Sequence, residues 1–352
     1  MNSSKKLKIT VFSDLHYKKG MYIAGVEDLE SIFDRAHQSG SELVIHCGDL
    51  CNDYLRSIEL TDCYINNKYS LPVYGVYGNH ELESGKNSMQ LVTPLLCNKE
   101  VVWGTKDGKI GDSSIAYYYF DRKGFRFIAL DTNYSYNEEL SSWQHNLTAS
   151  WGAPSGNTKA CSLGPEQLKW LEGVLDNALE NNLSCIVISH RGFCDSWANS
   201  PDSEKVRSLF ASVNSKKRGT VLLSLSGDLH TNHQCLFEDV VYLDINTVRN
   251  GLWLPEKKAH YQGVTFPYVE YDSEGKKTAS YQRPVGDLVM GDNTWFFDEP
   301  LSAVILVSDD GEIIIEGSES HWYGDVFPDE QYTKWATPFI SDGHYKAFAE
   351  RD

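Results

Sequence analysis

The stretch LKITVFSDLH, from Leu7 to His16, decides how this chain of 352 residues folds. Its apolar half has the Val- and Ile-rich composition of a buried parallel strand. Its polar half places Asp14 and His16 directly after the point where that strand should end. In open α/β sheets, binding sites form beyond the carboxyl ends of the strands. The pattern therefore predicts a strand that delivers both side chains into a crevice.

Four further apolar runs end in the same way, at residues that can carry chemistry. They are ELVIHC before Asp49, PVYGVY before Asn79 and His80, CIVIS before His190, and VLLSLS before Asp228 and His230. If all five runs are neighbouring strands, residues that are distant in sequence meet at one edge.

Three segments between these runs have the apolar spacing of amphipathic helices. They are EDLESIFDRAHQ, GPEQLKWLEGVLDNALENN and PDSEKVRSLFASV. The first, for example, repeats its apolar residues at i, i+3, i+4 and i+7. Buried strands that alternate with such helices predict a layered α/β fold.

The character of the sequence changes from Val240 onward, where strands follow one another without helices. Residues 1–246 are predicted to form the core domain, and residues 247–316 read as strands without helices that complete a second sheet. Asp309 to Gly311 has the signature of a hairpin turn between two of these strands. Residues 317–352 form an aromatic and polar tail without a clear period, to which no structure is assigned.

A long polar stretch from Tyr134 to Leu163 interrupts the core domain. Loops of this length in compact domains are usually functional or mobile. It is interpreted as a lid over the crevice, or equally as a surface elaboration with its own small packing cluster.

Composition narrows the classes of partner. The formal charge is −17 and no basic cluster is larger than Lys216 to Arg218, so no nucleic-acid partner is expected. The start of the chain has no apolar core of a signal peptide, and no later segment has membrane-spanning length, so a cytoplasmic protein without a membrane partner is expected. The eight cysteines show no paired C-x-x-C spacing, which favours reduced and mostly structural thiols. The oligomeric state is left open.

The polar residues form motifs that are specific only in combination. The motifs are D-L-H at Asp14, G-D-L at Asp49, G-N-H-E at Asn79, a lone His190, and G-D-L-H at Asp228. Two ligands at i and i+2, as in the first motif, project to one side of an extended chain. The glycines allow tight turns after the strands.

In this order, the motifs resemble the calcineurin-like metallophosphoesterase superfamily, and within it most closely the bacterial cyclic-nucleotide phosphodiesterase branch. The resemblance extends from Lys6 to Asn246. It implies a four-layer sandwich of two packed mixed β-sheets flanked by helices, here with a β-rich C-terminal extension. It also implies two metal sites that share Asp49: Asp14, His16, Asp49 and His230 in one, and Asp49, Asn79, His190 and Asp228 in the other.

The residue types suit this chemistry. Carboxylate, imidazole and amide donors form a hard to borderline set for two divalent ions, with Mn expected first and Fe, Zn or Mg as alternatives. Two ions roughly 3.5–4 Å apart lower the pKa of a bridging water, which becomes the hydroxide nucleophile at phosphorus. His80, next to a ligand but not one itself, is interpreted as the catalytic acid that protonates the leaving alcohol.

Two departures from the superfamily pattern are informative. Its last motif usually reads G-H-x-H, whereas this chain has Asp228 at the first histidine. Asp228 is expected still to bind metal and to shift the metal preference of the site toward Mn or Mg; the alternative is a weakened second site.

Protein Ser/Thr phosphatases of the superfamily carry arginines beside the second and third motifs. This chain reads GDLCND and YGNHE there, so that branch is not expected.

Three residues are candidates for substrate contact, each with a plainer alternative. Asn52 is expected to orient His80 or touch the substrate, or else to cap a turn. Arg191 is expected to meet a phosphate oxygen, or else to form a surface ion pair. His233 is expected to line the pocket, or else to be packed or exposed without a role.

The leading hypothesis is a metal-dependent hydrolase of a small phosphodiester, with cyclic nucleotides as one candidate substrate. A phosphomonoesterase of the same fold is the alternative, because one hydroxide serves both reactions and only the pocket walls discriminate. A non-catalytic scaffold is the second alternative, since fold alone does not guarantee activity. It is disfavoured because every ligand position holds a competent group.

Overall fold

The computed structural model describes residues 4–18, 21–52, 58–82, 96–104, 116–137, 141–145, 161–194, 200–254, 257–272, 276–333 and 336–348. The helices in this part of the chain are α1 (Val26–Ser39), α2 (Ile58–Ile65), α3 (Gly164–Glu180) and α4 (Ser203–Lys216). Three short 3-10 turns lie at His80–Leu82, Val285–Asp287 and Tyr323–Asp325. Helices α1, α3 and α4 lie where the apolar spacing predicts them.

The strands follow in chain order. They are β1 (Lys6–Phe12), β2 (Leu43–His46), β3 (Val73–Gly75), β4 (Val102–Trp103), β5 (Tyr118–Arg122), β6 (Phe125–Ala129), β7 (Tyr134–Asn137), β8 (Ser142–His145), β9 (Ser184–Ile188), β10 (Val221–Ser226), β11 (His233–Phe237), β12 (Val240–Asp244), β13 (Leu252–Trp253), β14 (Thr265–Tyr271), β15 (Lys277–Pro284), β16 (Thr294–Trp295), β17 (Ala303–Ser308), β18 (Glu312–Glu316) and β19 (Gly343–Lys346).

Two mixed sheets form the centre of the fold. The first has six strands in the order β19-β18-β17-β1-β2-β3, and its parallel pairs are β1 with β2 and β2 with β3. The second has seven strands in the order β11-β12-β10-β9-β6-β5-β4, with β12, β10, β9 and β6 parallel to one another. The predicted α/β class with two mixed sheets is confirmed.

Alternation along the buried strands builds two hydrophobic layers. In β9, Ile186 and Ile188 join the core between the two sheets, while Cys185 and Val187 face the outer layer. Helices α3 and α4 complete that outer layer with residues such as Leu171. Helix α1 packs on β1 and β2 at the other side. Because β9 is buried on both faces, its sequence is continuously apolar rather than alternating.

The C-terminal hairpin forms around Gly311, as its turn signature predicts, but it does not add to the second sheet. Strand β17 pairs antiparallel with β1, and Ile9 lies opposite Ile305. The hairpin β17–β18 therefore extends the first sheet, and β19 from the unassigned tail pairs with β18. A turn signature fixes the local register of two strands. It contains no information on which sheet edge they cover.

Part of the stretch from residue 134 to residue 163 is a two-stranded hairpin of β7 and β8, in which the rings of Tyr136 and Trp143 lie 5.7 Å apart. This contact agrees with a small packing cluster. Residues 146–160 lie outside the described part of the chain, so the lid interpretation stays a prediction. Within the described residues, no helix has the length and apolar character needed to span a membrane.

Candidate metal centre

The polar residues of the five motifs lie together at the carboxyl ends of strands from both sheets. Strands β1, β2 and β3 lead into Asp14, Asp49 and Asn79, and strands β9 and β10 lead into His190 and Asp228. Parallel strands end at the same edge of a sheet, and the two sheets pack face to face. The strand-end argument from sequence therefore predicts this placement.

The backbone at the site has an unusual conformation. Five of the motif residues have positive φ values between 50° and 65°: Asp14, His16, Asp49, Asp228 and His230. This left-handed region is uncommon for residues other than glycine, although Asp and His are enriched there. Each such residue costs roughly 1–3 kcal/mol and persists where the surroundings impose it, which is typical of functional sites.

One group of donors surrounds His16. Its Nε2 lies 3.0 Å from Nε2 of His230, and 3.7 Å from both Asp14 Oδ1 and Asp49 Oδ2. Nε2 of His230 lies 3.3 Å from Asp14 Oδ1. These four side chains could hold one cation.

A second group surrounds His190. Its Nε2 lies 3.3 Å from Asn79 Oδ1, 3.3 Å from Asp49 Oδ2 and 3.4 Å from Asp228 Oδ1. The same oxygen of Asp49 thus belongs to both groups. The structure brings together all seven residues that the resemblance implies as ligands, in the two sets that it implies.

Local contacts aim the shared carboxylate. The backbone N–H of His80 donates to Asp49 Oδ1 at 2.9 Å, which leaves Oδ2 directed at the two groups. A Cβ atom at Gly78 would overlap Asp49 Oδ1, so only glycine fits at that position. The glycine of the third motif is therefore required by the carboxylate of the second.

Hydrogen bonds assign the tautomers of the three imidazoles. Nδ1 of each ring lies near an oxygen acceptor: the Cys47 carbonyl for His190 at 2.8 Å, the Asn250 carbonyl for His230 at 2.9 Å, and the Asn52 side-chain carbonyl for His16 at 2.9 Å. A carbonyl only accepts, so Nδ1 carries the proton and Nε2 of the neutral ring has a lone pair. Burial is the main cause that lowers the pKa of His16 to about 4, so this ring is neutral at pH 7.

His80 has the opposite tautomer. The Asn52 side chain donates from Nδ2 to Nδ1 of His80 at 2.8 Å, so Nδ1 accepts and the proton of the neutral ring is on Nε2. Nε2 of His80 lies 3.9 Å from Asp49 Oδ2, and the ring lines the adjoining cavity. One amide thus gives His16 a lone pair and His80 a proton at the site.

The carboxylates control the charges of the other two imidazoles. Burial disfavours a charged His190, yet Asp49 and Asp228 raise its pKa well above the ordinary value. Asp14 likewise raises the pKa of His230 against the effect of burial. Three buried carboxylates thus make the site favour positive charge.

A divalent cation in each group fits these side chains. Asp14 Oδ2 accepts the backbone N–H of Asp228 at 3.2 Å, whereas the buried Oδ1 has no hydrogen bond of acceptable geometry among the described residues. That oxygen lies 3.7 Å from Nε2 of His16 and 3.3 Å from Nε2 of His230. Oxygen and imidazole donors of this kind suit Mn, Fe, Zn or Mg.

Glu81 and a segment after β12 support the site, and sequence reasoning assigned them no role. The buried Glu81 carboxylate accepts backbone N–H groups of Asp49, Cys51 and Gly78 at 3.1, 3.1 and 2.6 Å. It ties the second motif to the third. The position of Glu81 in the G-N-H-E motif is the sequence feature that could have indicated this supporting role.

The segment from Thr247 to Asn250 lies just past the predicted core boundary at residue 246. Thr247 donates its hydroxyl to the Asp14 carbonyl at 2.7 Å, and the Asn250 carbonyl holds the ring of His230. No motif marks this segment in the sequence.

The structure separates the two other candidates for substrate contact. Nε of Arg191 lies 3.5 Å from Asp228 Oδ2, so this arginine pairs with a site carboxylate rather than a surface one. His233 is not brought to the cavity. It begins β11, and its Nδ1 bonds Asp244 Oδ2 at 2.9 Å. Because β11 pairs with β12, the chain turns away from the site directly after His230.

A cavity of about 740 Å³ opens beside His16, His80, Asp228 and His230. Its wall is mainly apolar and includes Met21, Tyr22, Leu229, Leu252, Trp253 and Met290. No lysine or arginine is among the described residues that line it. Much of the wall comes from residues after 246.

A two-sheet α/β fold with clustered carboxylates and imidazoles defines a metal-binding hydrolase site. The sequence matches the family model of calcineurin-like phosphoesterases over residues 7–232. The chain therefore belongs to the calcineurin-like phosphoesterase family and is a hydrolase of phosphate esters. This match leaves the cyclic-nucleotide branch a prediction.

Solved structures resemble the chain at low sequence identity. A dimetal phosphatase from Danio rerio is 16% identical, with 90% of this chain and 98% of that chain covered and a TM-score of 0.54. The calcineurin-like phosphoesterase YfkN from Bacillus subtilis is 12% identical, with 94% and 95% covered and a TM-score of 0.41. No curated protein sequence matches the chain. At 16% identity, the likeness to the Danio rerio phosphatase concerns the fold alone.

Proposed function

We propose that the chain hydrolyses a phosphodiester with an apolar or aromatic substituent, with two divalent metal ions held by the seven clustered side chains. Asp14, His16, Asp49 and His230 hold one ion, and Asp49, Asn79, His190 and Asp228 hold the other. When bound, the ions lower the pKa of a water between them and withdraw charge from the phosphoryl oxygens. Mn is the expected metal, and cyclic nucleotides are one candidate substrate.

The chain's own groups supply orientation and a proton. His80 presents Nε2–H toward the cavity, where it protonates the leaving alcohol. Asn52 positions that proton through its bond to Nδ1 of His80. Arg191 reaches the site through Asp228 and is proposed to moderate the charge of that carboxylate.

The observation that carries the choice of a diester is the charge of the site and its wall. Two divalent ions and Arg191, against three carboxylates and the hydroxide nucleophile, leave one net positive charge, and the described cavity wall adds no lysine or arginine. A diester has one negative charge and two ester substituents, whereas a monoester approaches two charges at neutral pH. The singly charged ester with an apolar group matches this cavity better.

Turnover of bis(p-nitrophenyl) phosphate and p-nitrophenyl phosphate by the Mn-loaded protein tests the choice. We expect kcat/KM to be at least about tenfold higher for the diester, a difference of roughly 1.4 kcal/mol in transition-state binding. A higher kcat/KM for the monoester would instead make the chain a phosphomonoesterase. No turnover of either ester by protein that contains both ions would favour the non-catalytic scaffold.

The apolar wall is tested separately. Replacing Trp253 with alanine should lower kcat/KM for the aryl diester by about tenfold, the scale of one lost apolar contact. Methyl p-nitrophenyl phosphate, with a smaller second substituent, should lose less. Phe237→Ala removes an exposed aromatic ring on β11 outside the cavity and serves as the control. Equal losses in kcat/KM for both esters would mean that the apolar wall does not recognise the second substituent of the substrate.

A further inference from the structure

A second group of metal-binding side chains lies outside the centre described above. The sulfur atoms of Cys194 and Cys235 and a ring nitrogen of His233 all lie within 4.8 Å of one another. Cys194 is buried, whereas Cys235 and His233 are half-buried. The group is thus packed on one side and open to solvent on the other.

The fold holds these three residues in place by two routes. His233 and Cys235 are alternate residues of β11, so their side chains project from the same face. Cys194 lies in the segment that follows β9, four residues after His190. That segment is fixed, because Arg207 donates to the Phe193 carbonyl at 2.7 Å.

A carboxylate prepares the imidazole. His233 lies opposite Asp244 in the β11–β12 pair, and its Nδ1 bonds Asp244 Oδ2 at 2.9 Å. Asp244 is in turn bonded by the Ser226 hydroxyl. A carboxylate bound to one ring nitrogen of a histidine fixes the tautomer and leaves the other nitrogen as a ligand, which is the usual support of a metal-binding histidine. This contact points to a ligand independently of the cysteines.

We propose that Cys194, Cys235 and Nε2 of His233 bind one zinc-class ion, separate from the dinuclear centre. Two thiolates balance the charge of a divalent ion, and binding releases the two thiol protons. Ligand distances of roughly 2.3 Å for sulfur and 2.0–2.1 Å for nitrogen require only a modest contraction of the present cluster. Three protein ligands leave a fourth position to water on the open side.

The position of this site gives it a structural consequence. Cys194 is four residues after His190, and His233 is three residues after His230. An ion bound by Cys194 and His233 would connect two parts of the chain. One is the segment after His190, a donor of the second group, and the other is β11, which follows His230, a donor of the first group. The proposal rests on this geometry and not on the proposed substrate.

Cobalt titration of the full chain distinguishes this site from the dinuclear centre. The protein is reduced, loaded first with Mn²⁺, and then titrated with Co²⁺. Thiolate-to-cobalt charge-transfer absorption in the near ultraviolet should rise to one equivalent, because the dinuclear centre contains no thiolate. Cys235→Ser should abolish that absorption. Asp244→Asn should weaken cobalt binding by about 10–100-fold, the usual effect of losing a carboxylate behind a metal-binding histidine.

Cys63→Ser is the matched control, since Cys63 is also half-buried but lies on α2. It should leave the absorption unchanged. If Cys235→Ser does not fold, as judged by circular dichroism, His233→Asn carries the test and should weaken cobalt binding while both thiols remain. The proposal is overturned if reduced wild type shows no thiolate absorption, whether or not Cys194 and Cys235 form a disulfide in air. Absorption that persists in folded Cys235→Ser, or cobalt affinity that is unchanged in folded His233→Asn, also overturns it.

Discussion

The Asn52 side chain donates a hydrogen bond to Nδ1 of His80 at 2.8 Å. Its carbonyl end faces Nδ1 of His16, so one amide sets the tautomers of two imidazoles. In this arrangement His16 offers a lone pair and His80 offers a proton. Two chemically identical side chains, whose rings lie 4.8 Å apart, thereby acquire opposite roles.

Replacement of Asn52 with alanine should lower kcat by about 10–100-fold, because the residue acts through the groups that it orients. Part of the loss arises from the tautomer of His80 and part from weaker metal binding at His16. Combining Asn52→Ala with His80→Ala separates the two parts. In the His80→Ala background, Asn52→Ala should change kcat little, whereas its effect on metal affinity should persist. Fully additive losses in kcat would contradict a role through His80.

His80→Asn should lower kcat by about 10²–10⁴-fold for an alkyl leaving group, the usual contribution of general acid catalysis. A p-nitrophenolate leaving group needs no proton, so its release should be affected far less. In Mn-loaded protein, the manganese content by elemental analysis should stay at two ions per chain, since His80 is not assigned as a ligand. An equal loss for both leaving groups would remove the acid role from His80.

The donors of the site could be predicted from sequence because each follows a strongly apolar strand. For Asp14 and His190, periodicity locates the strand, and the geometry of parallel sheets then fixes the common edge. The helices were predictable for the same reason, since their apolar spacing is local. The left-handed backbone at Asp49 has no such local signature.

The remaining features depend on packing between distant segments. No periodic pattern shows that Asn250 holds His230, or that Leu252 and Met290 form one cavity wall. Tertiary contacts also determine that the hairpin β17–β18 pairs with the edge of β1. The placement of His233 was missed because β11 starts directly after the fifth motif, G-D-L-H, and turns toward Asp244.

Glu81→Gln should destabilise the fold and weaken metal binding. Its two carboxylate oxygens accept three backbone N–H groups, and an amide would turn an N–H₂ toward at least one of them. A buried donor that loses its acceptor costs about 1–3 kcal/mol of unfolding free energy. Urea denaturation measures this loss. Glu180→Gln, at an exposed helix end, is the control and should change stability by less than about 0.5 kcal/mol.

Asp228 tests whether a carboxylate serves where the superfamily usually has a histidine. Its Oδ1 lies 3.4 Å from Nε2 of His190, and its Oδ2 lies 3.5 Å from Nε of Arg191. Burial opposes ionisation, but His190 and Arg191 hold the pKa of this carboxyl below its usual value. The residue is therefore charged at neutral pH and directed at the second group of donors.

Asp228→Asn keeps the size of the side chain and tolerates the positive φ of 65°, so the backbone should be preserved. Loss of one negative charge should weaken binding of the second ion by about 10–100-fold, and dialysed Mn-loaded protein should retain close to one manganese ion per chain. Asp239→Asn is the matched control, because Asp239 also has a positive φ but pairs with Arg218 away from the site. Elemental analysis after dialysis gives the metal content of both variants. Full retention of two ions by Asp228→Asn would mean that the carboxylate is dispensable and that Asn79 and His190, with Asp49, suffice for the second ion.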